Sequence, residues 1–134
     1  MIDLIPIQEV SAGVSILYSL LGERTPDQSI SHKSMPSFEE HTKFVESNPY
    51  LAWYIIHDKA EGELLGTIYL TYQREIGISI FKHSQGRGVG KKAVSLLMEK
   101  HPGVFYANIN PKNHASIRFF ESLGAKHIQN TYLL

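Results

Sequence analysis

His83-Ser84-Gln85-Gly86-Arg87-Gly88-Val89-Gly90 decides how this chain is read. Three glycines fall within five residues, after an apolar β-rich run (residues 75–81) and before a run with helical spacing. Glycine lets the backbone turn sharply and lets a ligand approach the amides. The first amides of a helix have no internal partner, and the helix dipole adds partial positive charge there. Together these make a phosphate-binding anion site, around which Arg87, Lys91 and Lys92 place mobile cations.

Two familiar phosphate loops do not fit. A Walker A loop requires Gly-x-x-x-x-Gly-Lys-Ser/Thr, but Gly90 is followed by Lys91-Lys92, without the magnesium-binding hydroxyl. A dinucleotide fingerprint requires Gly-x-Gly-x-x-Gly and an acid about 20 residues on. Here the spacing is Gly-x-Gly-x-Gly, and residues 107–110 hold no acid.

Working outward, Val89, Ala93, Leu96 and Leu97 form one stripe of a helix that Pro102-Gly103 stops. Val104–Ile109 reads as a strand. Asn113 caps a second helix, lined by Ile117, Phe120 and Leu123 and ended by Gly124. Residues 126–134 read as a last strand. Upstream, residues 51–56, 64–72 and 75–81 are rich in β-branched and aromatic residues and read as an antiparallel meander, with Gly66 marking a bulge. Residues 2–7 form a first strand. Val10, Val14, Leu17 and Leu21 define a helix that Gly22 closes in a left-handed conformation, and residues 23–36 are loop. Ser37-Phe38-Glu39-Glu40 is a capping box for a helix that Asn48-Pro49 ends. The order is β-α-α-β-β-β-α-β-α-β. This is a mixed α/β sheet with one strand–helix–strand crossover over residues 75–109, expected to be right-handed. The 134 residues suffice for one domain, residues 1–134.

Composition narrows the function classes. Hydrophobic residues are 43% and charged residues 19%, so disorder is excluded, and the absence of cysteine excludes disulfides, thiolate chemistry and Fe–S clusters. None of the seven histidines forms a metal-ligand pair, so no metal is expected. No apolar run reaches the roughly 18–20 residues that span a bilayer, and the N-terminus has no basic region of a secretory signal. A soluble cytoplasmic protein, not bound to membrane, is expected. Net charge is zero but divided: residues 1–80 carry five basic and eleven acidic side chains, and residues 81–134 carry eight basic and two acidic. The basic half suits an anionic ligand. Its charge gathers at the glycine turn rather than along a stripe with stacking aromatics, so nucleic acid is not expected. Trp53, Tyr54, Tyr69 and Tyr72 lie on the central strands, where those facing a cleft could flank a ligand.

Gln85-Gly86-Arg87-Gly88-Val89-Gly90 resembles Gln/Arg-x-x-Gly-x-Gly/Ala, the acetyl-CoA pyrophosphate loop of the GNAT superfamily of N-acetyltransferases. The run from Pro111 to Ala125 resembles the family's second signature, Asn-x-x-Ala/Ser-x-x-Phe-Tyr-Glu-x-Leu-Gly-Phe. The resemblance implies a GNAT-like fold in which acetyl-CoA occupies a split between the fourth and fifth strands, here residues 75–81 and 104–109. Pantetheine would pair with backbone at Ser79, Ile80 and Phe81, as a peptide adds to a strand edge. The pyrophosphate would lie over Gln85, Gly86, Arg87, Gly88, Val89 and Gly90, with Lys91 beside it and Asn108 near the cofactor. Asn113 either bonds the cofactor or is a plain helix cap.

The activity implied is transfer of the acetyl group of acetyl-CoA to a primary amine of a small molecule by direct attack, which needs a base for the amine proton. Glu75 stands where some members carry that base, and reads equally as an exposed turn residue paired with Arg74. His83 is expected to face the phosphates instead. The tyrosine that usually protonates the thiolate maps to Phe120, so either another donor (Tyr106, Tyr132, or Asn108 with water) substitutes or the thiolate leaves unassisted. A second departure is Ala125 in place of the family phenylalanine. The usual seventh strand is missing after residue 134, leaving an edge that a second subunit, as in a homodimer, could complete. A different class also fits the missing tyrosine: a non-catalytic acyl-CoA-binding module on the same fold.

Overall fold

In the computed structural model, residues 1–23 and 35–134 are described. Most of the loop expected over 23–36 therefore lies outside the described residues. The sheet has four strands in sequential order, all antiparallel: β1 (Ile2–Pro6), β2 (Ala52–Asp58), β3 (Glu63–Leu70) and β4 (Ile76–Ile80). Leu65 is the extra residue of a bulge between β2 and β3: Ile56 opposes Gly66 while His57 opposes Leu64. Gly66 beside it lets the backbone of β4 pass, since a Cβ there would meet the carbonyl of Ser79 and the Cα of Ile80.

Among the described residues four α-helices cover the two faces. α3 (Val89–Lys100) packs its stripe of Val89, Ala93 and Leu97 with Ile56, Ile68, Leu70 and Ile76 of the sheet, and α4 (His114–Ser122) adds Phe120. On the opposite face α1 (Gly13–Gly22) and α2 (Phe38–Glu46) bury Leu17 and Val45 against Ile55 and Ile7. The helix starts are set locally. Ser37 and Glu40 form the expected reciprocal capping box, and Asn113 accepts from the amide of Ser116. Gly124 ends α4 at φ 92°. Gly22, in contrast, is not left-handed but the last residue of α1, which Glu23 caps in a right-handed helical conformation.

Two expected strands do not form. Residues 104–109 contribute one isolated parallel bridge, Tyr106 to Glu75, and nothing more. Two hydrogen bonds make it: the Ile76 amide donates to the Tyr106 carbonyl at 2.7 Å, and the Tyr106 amide donates to the Arg74 carbonyl at 2.9 Å. Residues 125–134 form no regular structure, and every residue from 124 to 134 is exposed. The cause is common to both: a strand exists only through a neighbour's hydrogen bonds, and among the described residues neither segment has a ladder to join beyond that bridge. The crossover over 75–109 is accordingly reduced to that bridge, and the sheet proper is antiparallel rather than mixed.

Arg74 fixes the bridge. Its backbone is left-handed (φ 70°), and its guanidinium donates to the carbonyls of His101 (2.7 Å) and Val104 (2.9 Å) while lying over the Phe105 ring at 4.6 Å. The chain leaving α3 is thereby held against the start of β4.

Two histidines give the fold an acid sensitivity. Burial holds His41 below the ordinary imidazole value, against the opposing effect of its bond to the Val14 carbonyl. Burial, then the charges of Arg74 and Lys100, lower His101, whose ring meets the Tyr54 hydroxyl at 2.7 Å. A depressed folded pKa means that the unfolded chain binds protons first. Stability is thus full above the unfolded value near 6.5 and is lost as pH falls below it, until the folded values are reached. Thermal melts should show a midpoint lower at pH 5.5 than at pH 7.5, by an amount on the order of 3–5 °C. A His41→Gln, His101→Gln double variant should flatten the profile. A flat wild-type profile contradicts this account.

Candidate active site

The single bridge creates the site. Beyond it β4 and residues 107–110 part, and a cleft of about 1170 Å³ opens between them. Which backbone groups of β4 face that cleft follows from pairing. Both N–H and C=O of one strand residue point to the same side. Ile76 points toward Tyr106, while Phe81 donates to Leu65 of β3. Hence Ile76, Ile78 and Ile80 turn their main-chain groups to the gap side, where the Ile76 amide is spent on Tyr106 and the Ile80 carbonyl accepts from Gln85 Nε2 at 3.2 Å, while Gly77, Ser79 and Phe81 turn theirs to β3. Of the three residues expected to pair with pantetheine, Ile80 has its main-chain groups on the open edge; the other position is Ile78. Counting parity from a known pairing partner is the signal that finds it. The side chain of Ser79 still lines the cleft; that of Phe81 does not, and its ring stacks on His83 at 5.3 Å instead.

At the far end of β4 lies the glycine turn. Gly86 (φ 79°) and Gly88 (φ 74°) are both left-handed, and a Cβ at either would meet nothing within 4 Å. The space above the turn is therefore open. Gly88 is the N-cap of α3 and has no side chain to cap it, so the first-turn amides are left to an outside partner. Beneath them the Ser84 hydroxyl is fully buried and, among the described residues, has no hydrogen-bond partner. Gln85, Gly86, Gly88, Val89, Gly90 and Lys91 all line the cleft. These free amides, open space and positive charge fit a diphosphate. The Arg87 side chain is not part of this cradle: it turns to Glu63, with its guanidinium 3.0 Å from the carboxylate, and His83 lies 3.9 Å from the same group. Asn113 lines the cleft while capping α4.

At the bridge end sits Glu75, half-buried and lining the cleft. It is not paired with Arg74, whose guanidinium is committed to carbonyls. Asn108 donates to one carboxylate oxygen at 2.6 Å and the Thr71 hydroxyl to the other at 3.4 Å, while the Glu75 amide donates back to Thr71 Oγ1 at 2.9 Å. Glu75 and Asn108 are thus brought together across the gap, in an arrangement that presents an oriented carboxylate. Tyr106 gives its backbone to the bridge, but its side chain does not line the cleft, and Tyr132 lies 81% exposed in the unpaired tail. Phe120 is at the position of the missing tyrosine, buried and lining the cleft.

A group of aromatic rings closes the side of the cleft formed by α2. Tyr69 and Tyr50 stack at 3.9 Å, and Trp53 meets both edge-on. Trp53 is held by a bond from its Nε1 to Thr67 Oγ1, which in turn donates to the Tyr54 carbonyl. Tyr54 itself points to His101 on the other face, and Tyr72 is exposed at a turn. Of the four aromatics singled out in the sequence, only Trp53 and Tyr69 face the cleft. Among the described residues no three His, Cys, Asp or Glu side chains gather as a metal site, and no helix is long and apolar enough to cross a membrane.

The family model described as an acetyltransferase (GNAT) domain matches residues 21–126. No curated protein matches the sequence. Among solved structures, an acetyltransferase from Thermus thermophilus is similar with a TM-score of 0.72 and 19% identity, over 97% of this chain and 90% of that one. A putative acetyltransferase from Salmonella typhimurium, seen with its cofactor acetyl-CoA, is similar at 0.65 and 18% identity, over 92% and 78% of the two chains. The spermidine/spermine N-acetyltransferase SpeG of Vibrio cholerae, in mutant forms, is similar at 0.65 and 16%, over 92% and 77%. These structural likenesses carry the fold. The match over residues 21–126, on a sheet that parts beside an uncapped glycine turn, makes the chain a member of the GNAT acetyltransferase family and an acyltransferase enzyme.

Proposed function

We propose that this chain moves the acetyl group of acetyl-CoA to a primary amine of a small molecule, by direct attack within a ternary complex. The observation that carries this reading is the one-residue bridge at Glu75 and Tyr106, which leaves an open strand edge running straight into the uncapped glycine turn. Main-chain groups of Ile78 and Ile80 would hold the pantetheine amides, and the amides of Gly86 to Gly90, with Lys91, the diphosphate. Acetyl-CoA supplies the activated acyl group and a thiolate that leaves readily near neutral pH. The chain's own contribution is at the bridge. Glu75 takes the proton that the amine must lose as its C–N bond forms, and Asn108 and Thr71 keep the carboxylate turned toward the gap. The Vibrio enzyme's polyamine acceptors support an amine as acceptor, and Glu75 lies where an approaching amine would need it.

Thiol release, followed with a panel of primary amines, tests the reading. Acetyl-CoA-dependent release with at least one amine, and none without an acceptor, is expected. Tight acetyl-CoA binding with no turnover on any amine would instead make the protein a non-catalytic acyl-CoA-binding module.

A further inference from the structure

We infer that the Glu23 carboxylate is a resident stand-in for the cofactor. In the free protein it occupies the edge of β4 just before the glycine turn, it leaves that edge when the diphosphate of coenzyme A arrives, and its charge weakens the hold on the cofactor. This rests on the acetyl-CoA reading above and adds to it a residue that lies outside both β4 and the turn.

The gap-side positions of β4 recur every second residue, at Ile76, Ile78 and Ile80. Phe81 is extended (φ −54°, ψ 141°) and donates to Leu65 of β3, so the next amide, that of Lys82, turns to the gap side. It is already occupied: the Glu23 carboxylate accepts from it at 3.0 Å, across 59 positions of sequence. Beside it the Ile80 carbonyl accepts from Gln85 Nε2 at 3.2 Å. A side-chain acceptor on an N–H and a side-chain donor on a C=O reproduce what an amide-bearing ligand offers to a strand edge. A cofactor held by β4 at one end and by the turn amides at the other passes this point, and Glu23, Lys82 and Gln85 line the cleft together with Gly86 and Gly88.

Tying α1 to β4 does not call for a charge. A glutamine oxygen would satisfy the Lys82 amide as well as a carboxylate does. Glu23 caps the C-terminal end of α1, its own amide donating to the Leu20 and Leu21 carbonyls. That end is the negative pole of the helix, where a carboxylate is unfavourable. Among the described residues no ion pair offsets it.

The charge matters for what enters the cleft. Lys91 and the uncapped amides of the turn draw in a diphosphate, while the Arg87 guanidinium is held by Glu63. A carboxylate and a diphosphate at one end of one cleft repel each other. The two therefore exchange: the Glu23 side chain swings off the Lys82 amide as the diphosphate settles, and returns as coenzyme A departs.

Calorimetry of coenzyme A with the wild-type, Glu23→Gln and Glu23→Ala proteins tests this, with thermal melts to confirm that each is folded. Glu23→Gln should bind coenzyme A roughly fivefold to tenfold more tightly than wild type, the scale of one or two unit-charge contacts in water-like surroundings. The KM for acetyl-CoA and the inhibition constant of the product coenzyme A should fall by the same factor. The gain should shrink between about 0.05 M and about 0.5 M salt, which a purely structural role would not produce. Glu23→Ala should bind at least as tightly as Glu23→Gln, because nothing then has to be displaced. Unchanged or weaker binding by Glu23→Gln, or a gain indifferent to salt, overturns the inference. Tighter binding by Glu23→Gln with weaker binding by Glu23→Ala overturns it too, since the side chain would then stay on the amide and support the site. Failure of all three proteins to bind coenzyme A overturns the acetyl-CoA reading itself.

Discussion

Gly88→Asp should abolish acetyl-CoA binding, and Gly88→Asn should largely spare it. Residue 88 is left-handed at φ 74°, a conformation that asparagine and aspartate tolerate better than other side chains. A Cβ there meets nothing within 4 Å, so bulk is not the obstacle in the free protein. The two side chains have nearly the same shape and differ by one charge. If the diphosphate lies over these amides, aspartate sets a carboxylate about 4 Å from it. At an effective dielectric of about 20 that repulsion is on the order of 4 kcal/mol, or roughly a thousandfold in affinity. Asparagine should lose no more than about tenfold, from backbone strain and partial crowding. Calorimetry with acetyl-CoA gives both numbers, and thermal melts confirm that each variant is folded. Equal affinities for the two variants would remove the diphosphate from the turn.

The same turn shows why part of this site was legible in the sequence. A left-handed glycine, a capping serine and an N-cap asparagine are decided within a few residues, so Gly86, Gly88, Ser37 and Asn113 took the conformations or bonds that their neighbours dictate. Strands are decided elsewhere. Val104 to Ile109 has the β-branched and aromatic content of a strand, yet among the described residues only Tyr106 pairs, in a single bridge to Glu75. Residues 126–134 have the same kind of content and pair with no strand among the described residues. Side-chain destinations were similarly hidden. Arg74 and Glu75 are adjacent opposite charges, but Arg74 reaches the carbonyls of His101 and Val104, some thirty residues away, and Glu75 reaches Asn108. Arg87 stands inside the phosphate signature and is drawn off by Glu63, which local spacing does not reveal. The choice of Ile78 and Ile80 over Ser79 and Phe81 is a matter of strand parity, readable only once a single bond of β4 is known.

Glu75→Gln should lower kcat by about 10²–10⁴ with no change in the KM for acetyl-CoA. Glutamine keeps the length of the side chain and still offers an oxygen to the Asn108 amide, so the bridge and the cleft retain their shape; what it loses is the capacity to take a proton. The effect should fall on the chemical step alone, since the glycine turn and the open edge at Ile78 and Ile80 lie farther along β4. Asn108→Ala makes the complementary test. It leaves the carboxylate in place but removes its strongest partner, at 2.6 Å, so the base remains and its aim is lost. A smaller fall in kcat is expected there, with recovery in Asn108→Gln only if the longer amide still reaches Glu75. If Glu75→Gln turns over at the wild-type rate, the proton leaves by another route and the Asn108–Glu75–Thr71 chain is only a clasp between β4 and the segment that follows α3. Near-complete loss in Glu75→Gln with partial loss in Asn108→Ala would instead divide the two roles, one group accepting the proton and the other holding it in line with the gap.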